Sequence, residues 1–194
     1  CEVGEKLEIT SKTYLSLYGI KESNTVVIQL ETPIDTIKYA LEKSKELGKF
    51  TILNPAPAVK LSDDIIKNVD LLTPNETELE ILSGISINNE DDIKKAANIM
   101  MEKGVKQLIV TLGSKGSLYL DKECMEFKKS YKVDAIDTTA AGDTYTGALS
   151  VAFAQNKSVN EAMDFASKAG AISVTKIGAQ TSIPSLYDIE NFEF

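Results

Sequence analysis

Thr25-Val-Val-Ile-Gln-Leu30, then Pro33, then Ile34, Ile37, Leu41 and Leu47, then Gly48 and Phe50-Thr-Ile-Leu53: these residues spell a strand, a helix and a second strand. Short apolar runs rich in β-branched residues suit strands buried on both faces. Between them, Pro33 fits a first helical position, the apolar residues recur at helical spacing, and Gly48 supplies a C-terminal stop. Outward from this unit the alternation continues. Ser62-Asp-Asp caps a short helix, 70–73 reads as a strand, and Asn75-Glu-Thr-Glu78 opens a helix ending at Gly84. A helix over 91–103 places Ile93, Ala96, Ala97 and Met100 on one face, and Gln107-Leu-Ile-Val-Thr-Leu112 is a strongly apolar strand. Gly113-Ser-Lys-Gly116 then turns into 117–120 as an antiparallel hairpin, and 135–138 leads to two consecutive apolar helices over 144–155 and 159–176. The fold class is therefore α/β, a mostly parallel sheet flanked by helices. With 194 residues, 43% hydrophobic and 26% charged, residues 1–194 read as a single domain with a substantial core.

Composition narrows the chemistry. Asp plus Glu number 29 against 21 Lys plus Arg, a net charge of −8, which argues against nucleic acid or an anionic membrane as partner and for small molecules. Cys1 and Cys124 are too few and too far apart for a disulfide framework, as in a reducing, cytoplasmic compartment. No apolar run is long enough to span a bilayer. There is no histidine, which excludes Ser-His-Asp and Cys-His nucleophile pairs and leaves acid–base work to carboxylates, Lys or Tyr. The amphipathic stretch 6–17 has no strand before it, as if the chain were entered in the middle.

In such sheets ligands sit beyond the carboxyl ends of the strands. There lies Asp137-Thr-Thr-Ala-Ala-Gly-Asp-Thr-Tyr-Thr-Gly147. Small residues at Ala140, Ala141 and Gly142 let the backbone approach a ligand, and the helix start aims N–H groups at it, forming an anion hole. Asp143 at its edge could accept a proton from an attacking hydroxyl. A plain helix cap is the other reading of the same residues. Gly142 and Gly147 have P-loop spacing, but Ala148 and Leu149 stand where Lys and Ser/Thr are required, so a Walker site is rejected. Asn75-Glu-Thr-Glu78 alone is a favourable acidic helix start, and Gly113-Ser-Lys-Gly116 alone is explained by a hairpin turn.

Taken together, the motif 137–147 closely resembles the C-terminal signature of the ribokinase/PfkB family of sugar kinases. Leu53-Asn-Pro-Ala-Pro-Ala58, Thr73-Pro-Asn-Glu-Thr-Glu78, Thr111-Leu-Gly-Ser-Lys-Gly116 and Val174-Thr-Lys-Ile-Gly-Ala-Gln180 follow in the family's order. The resemblance implies a magnesium-dependent transferase that moves the γ-phosphate of ATP to a sugar hydroxyl in carbohydrate metabolism, with Asp143 as base and Ala140, Ala141 and Gly142 as anion hole. It implies Asn75 and Glu78 near the phosphates, organising Mg²⁺ through water. Thr111, Gly113, Ser114 and Gly116 would line the nucleotide, and Ser167, where the family often has Asn or His, would lie near adenine. Glu31 matches a sugar-contacting acidic position. Asp137, Thr139, carbonyls of Ser173, Lys176 and Gly178 and the hydroxyl of Ser182 would enclose an activating K⁺.

The family's N-terminal part, with its Gly-Gly sugar motif and β-sheet lid, has no counterpart here, so 1–194 alone is expected to turn over poorly. A full-length form could dimerise through that lid. Ribose is the favoured acceptor, because the three motifs look most like a kinase of that sugar. Fructose or a nucleoside such as adenosine is the alternative acceptor, and a non-catalytic nucleotide-binding fragment is the alternative function.

Overall fold

The computed structural model describes residues 16–193, so the stretch 6–17 lies almost wholly outside the described residues. Six strands form one sheet in chain order, β1 (Thr25–Gln29), β2 (Phe50–Asn54), β3 (Leu71–Leu72), β4 (Gln107–Thr111), β5 (Ser117–Leu120) and β6 (Met125–Lys128). The helices between them are α1 (Ser16–Glu22), α2 (Ile34–Glu46), α3 (Asp63–Ile66), α4 (Glu76–Ser83), α5 (Glu90–Glu102), α6 (Ala141–Ala154), α7 (Val159–Ser173) and α8 (Leu186–Asn191). By internal contacts the chain divides into two compact units. One runs to Val110 and adds Tyr119–Met125; the other is Thr111–Leu118 with Glu126 onward.

In the first unit, β1 to β4 are parallel, with Val27 opposite Ile52, Ile52 opposite Leu71, and Leu71 opposite Gln107. The predicted β-α-β unit is present with small shifts. Helix α2 starts at Ile34, so Pro33 takes the capping position, and Gly48 at φ +67° ends the turn after it. Strand β3 is shorter than predicted, yet Asp70 N–H still donates to Thr51 O and Thr73 N–H to Leu53 O, so the ladder extends beyond the two strand residues. The Asp70 carboxylate accepts from Lys45 at 2.7 Å, Lys106 at 3.0 Å and Thr51 N–H at 3.0 Å, tying the start of β3 to both its neighbours. Ile52, Leu53, Leu71, Leu72, Leu108 and Ile109 are fully buried, as strands covered on both faces require. Ile37 and Leu41 of α2, Leu79 of α4, and Ile93, Ala96, Ala97 and Met100 of α5 are buried as well, whereas Ile34 and Leu47, at the two ends of α2, are exposed. The turn from β5 to β6 closes with Asp121 N–H on Cys124 O, and Asp121 Oδ1 accepts from Glu123 and Cys124 N–H.

In the second unit, α6 and α7 pack through Leu149, Ala152, Ala162, Met163, Ala166 and Ala169, all essentially inaccessible. Helix α6 begins at Ala141, three residues before the predicted start, because Ala140 adopts a turn conformation and Thr144 N–H already donates to Ala140 O. A reciprocal Ser158–Glu161 cap starts α7, which ends at Ser173 rather than 176. Helix α8, absent from the sequence reading, is set by a Ser185–Asp188 cap and seats Ile189 on Ala169 and Ile172. Among the described residues no helix is long and apolar enough to cross a membrane.

Candidate active site

The earlier start of α6 changes what Ala140-Ala-Gly-Asp143 is. These residues are the first turn of a 14-residue helix, where N–H groups lack partners within the helix and the dipole favours negative charge. Ala140 holds φ +59° with a methyl side chain, a left-handed conformation that costs an alanine about 1 kcal/mol. Ala140 itself supplies no side-chain cap, and Ala141 N–H donates to Thr138 O at 3.3 Å. Asp143 is the third residue of the helix, exposed, with its acidic group in the first turn.

What holds this turn is Asp137. Its Oδ1 accepts from Thr139 N–H at 2.9 Å and its Oδ2 from Gly178 N–H at 3.0 Å. Beside it, Ile136 and Asp137 N–H both donate to Val174 O, at 2.7 and 3.2 Å. The segment before α6 is thus laced to the loop after α7. Hydrogen bonds from the Thr139 side chain and from the N–H groups of Gly178 and Thr139 hold the Asp137 carboxyl at about 2, so it is charged at every working pH. Of the other expected potassium ligands, Ser173 and Ser182 are completely buried. Ser173 O accepts from Lys176 N–H at 3.2 Å, Ser182 Oγ donates to Ala179 O at 2.8 Å, and Gly178 takes φ +101°. The structure therefore brings Asp137, Thr139 and Gly178 together, with Ser173 at the end of α7 and Lys176 in the loop that follows it.

Thr111 ends β4 half-buried, and Gly113–Lys115 form a 3₁₀ turn closed by Leu112 N–H on Gly116 O at 2.8 Å. Ser114 is exposed at its tip. Gly116 sits at φ +118°, and a β-carbon there would lie 2.0 Å from Lys128 O and 2.8 Å from Ser130 N. Only glycine lets these two backbones approach. Ser167 is buried in α7 near the hydroxyl of Tyr145, which donates to Ser117 Oγ at 3.0 Å. Sequence reasoning does not single out Tyr145. Its signal is a phenol on an otherwise apolar helix face, since a buried Tyr hydroxyl needs a partner.

In the first unit, Asn75 and Glu78 form a reciprocal cap at α4: Glu78 N–H donates to Asn75 Oδ1 at 2.8 Å, and Asn75 N–H to Glu78 Oε2 at 2.9 Å. The acidic-helix-start reading is thus realised, Asn75 using its single side-chain oxygen and Glu78 its Oε2. Glu31 is exposed in the turn after β1. Among the described residues no three Asp, Glu or Cys side chains cluster as a metal site, so any cation must be held with amide, hydroxyl, carbonyl or water oxygens.

The description "pfkB family carbohydrate kinase" fits a sequence profile that matches residues 6–186. The chain belongs to this family. Similar relatives include a ribokinase of Haemophilus influenzae, 43% identical over 173 residues, which cover 89% of this chain and 56% of that protein. A deoxyribokinase of Salmonella typhi is 36% identical over 174 residues, 89% of this chain and 57% of that protein. Among solved structures, an Arabidopsis thaliana ribokinase complexed with ribose and ATP superposes with a TM-score of 0.86 at 31% identity, covering 91% of this chain and 59% of that one. A ribokinase from Thermotoga maritima gives 0.82 at 40% identity, covering 92% and 59%. This family member therefore spans less than two thirds of the length of the relatives it matches.

Proposed function

We propose that this chain is the nucleotide-binding and catalytic part of an ATP-dependent sugar kinase, acting as one domain over 1–194, and that its acceptor is ribose, converted to ribose 5-phosphate. The observation that carries the reading is the α6 start: a strained first turn, with no side-chain cap from Ala140 and an exposed carboxylate in it, anchored by a buttress of backbone and carboxylate bonds at 137–139 and 174–178. Phosphoryl transfer demands little of a protein beyond positioning and charge stabilisation. In this scheme Asp143 takes the proton from the attacking hydroxyl as the oxygen–phosphorus bond forms. The N–H groups of the 140–142 turn stabilise charge on the transferred group, and ADP leaves. Thr111, Gly113, Ser114 and Gly116 line the nucleotide, with Ser167 toward adenine and Glu31 toward the sugar.

Asn75 and Glu78 would hold Mg²⁺ through water; the ion supplies charge neutralisation at the phosphates when bound. Asp137, Thr139, Ser173, Lys176, Gly178 and Ser182 offer an oxygen-only set with one negative charge, which fits K⁺, and the cation would order the loop behind the turn. Ribose is favoured over deoxyribose by two bacterial ribokinases at 43% identity, while other ribokinases at 34–37% stand level with the deoxyribokinase at 36%. Incubating the full chain with ATP, Mg²⁺, K⁺ and a panel of pentoses, hexoses and nucleosides tests the reading. ADP formation greatest with ribose supports it; ADP formation with none of them rejects it.

A further inference from the structure

Three hydroxyl side chains meet in the interior of the second unit. Tyr145 OH donates to Ser117 Oγ at 3.0 Å, and the Ser167 hydroxyl lies near enough to hold the phenol's pKa down slightly. Ser117, Tyr145 and Ser167 are 0%, 8% and 6% exposed. A phenylalanine would fill the same space without the bond to Ser117, so packing alone does not require this hydroxyl.

Each member belongs to a different segment. Ser117 directly follows Gly116, whose backbone is wedged against Lys128 and Ser130. Tyr145 lies two residues beyond Asp143, on the buried side of the first turns of α6, which lie against Gly170 of α7: a β-carbon there would meet Ala141 O and the Tyr145 side chain at ordinary contact distances of 3.8 and 3.9 Å. Ser167 lies one turn before Gly170 on α7.

We propose that Tyr145 is a positioning residue for the nucleotide: its hydroxyl, bonded to Ser117, locks the anion-hole turn of α6 to the 113–116 turn. The proposal rests on the functional reading of those two turns. Tyr145 touches no substrate; it fixes the register of groups that do, which is where small displacements cost most rate. Burial pushes the phenol up to about 12, so the tie is protonated and intact throughout the working pH range.

The test compares Tyr145→Phe with Tyr145→Phe/Ser117→Ala in the full chain. Tyr145→Phe leaves Ser117 without its donor and should lower Tm by about 4 °C; the double variant removes that orphan and should regain most of it. If the hydroxyl positions the site, kcat/KM for ATP falls about tenfold in both variants, equally from pH 6 to 9, while KM for ribose stays within about twofold. Recovery of both Tm and kcat/KM in the double variant would reduce the triad to core satisfaction and overturn the proposal, as would wild-type kinetics in Tyr145→Phe. Should the wild-type chain phosphorylate no sugar, which sinks the functional reading instead, calorimetric affinity for ATP·Mg²⁺ gives the same comparison: about tenfold weakening in both variants supports the triad, and unchanged affinity overturns it.

Discussion

Replacing Gly116 by alanine should be far more damaging than a single methyl suggests. The added β-carbon would sit 2.0 Å from Lys128 O, 2.8 Å from Ser130 N and 2.9 Å from Lys129 C, all backbone atoms that cannot swing aside. An ordinary contact needs about 3.4 Å or more, so one backbone must retreat by about 1.4 Å, breaking the close-packed match at that point. Overpacking of this kind costs about 1–3 kcal/mol, and φ +118° adds strain of about 1–3 kcal/mol for an L side chain. We expect Gly116→Ala to lose about 3 kcal/mol, a fall of about 6–12 °C in Tm for a chain of this size. Gly113→Ala is the control. It too has positive φ, +57°, but nothing lies within 4 Å of its β-carbon, so it should lose only about 1 kcal/mol. Thermal unfolding by circular dichroism measures both, and the KM for ATP should rise with Gly116→Ala as the 113–116 turn is pushed out of place. A Gly116→Ala protein within about 1 kcal/mol of wild type, or indistinguishable from Gly113→Ala, would refute the close approach.

Glu78→Gln separates the two jobs assigned to that residue. Glutamine still accepts the Asn75 N–H, so stability should stay within about 0.5 kcal/mol, while the Mg²⁺ concentration for half-maximal rate should rise about tenfold. An unchanged magnesium requirement would return Glu78 to capping alone. Asp137→Ala cuts the ties to Thr139 and Gly178 and should abolish any advantage of potassium over a bulky organic cation at matched ionic strength. In the unaltered protein that advantage should be flat from pH 8 to 5. A depressed carboxyl keeps its contribution above the ordinary value of about 3.9 and loses it only as pH falls toward about 2. A potassium effect surviving in Asp137→Ala, or titrating near pH 6, contradicts the assignment.

The β-α alternation was legible because each signal was local. The 25–53 unit needed only β-branched runs, helical spacing and Gly48, and all appear within a residue or two of their predicted bounds. The misses are tertiary. Helix α6 starts earlier because the 136–139 segment is held by Val174 and Gly178, some forty residues away, which frees Ala140 to turn the chain. Helix α8 is six residues long and exists through its cap and the seat for Ile189, neither of which yields a periodic pattern. Residues of the site could be named from motifs, but how they are held could not. That Asp137 spans to Gly178 and that Tyr145 bonds Ser117 are facts of packing.

The central claim is that Asp143 takes the acceptor proton beside an anion hole built of backbone. Asp143→Asn in the full chain, assayed for ribose-dependent ADP formation alongside calorimetric ATP·Mg²⁺ affinity, tests it most directly. The account predicts a loss in kcat of about 10²–10⁴-fold, the usual worth of a general base, with nucleotide affinity within a few-fold of wild type because the N–H groups are untouched. Turnover within a small factor of wild type would contradict it.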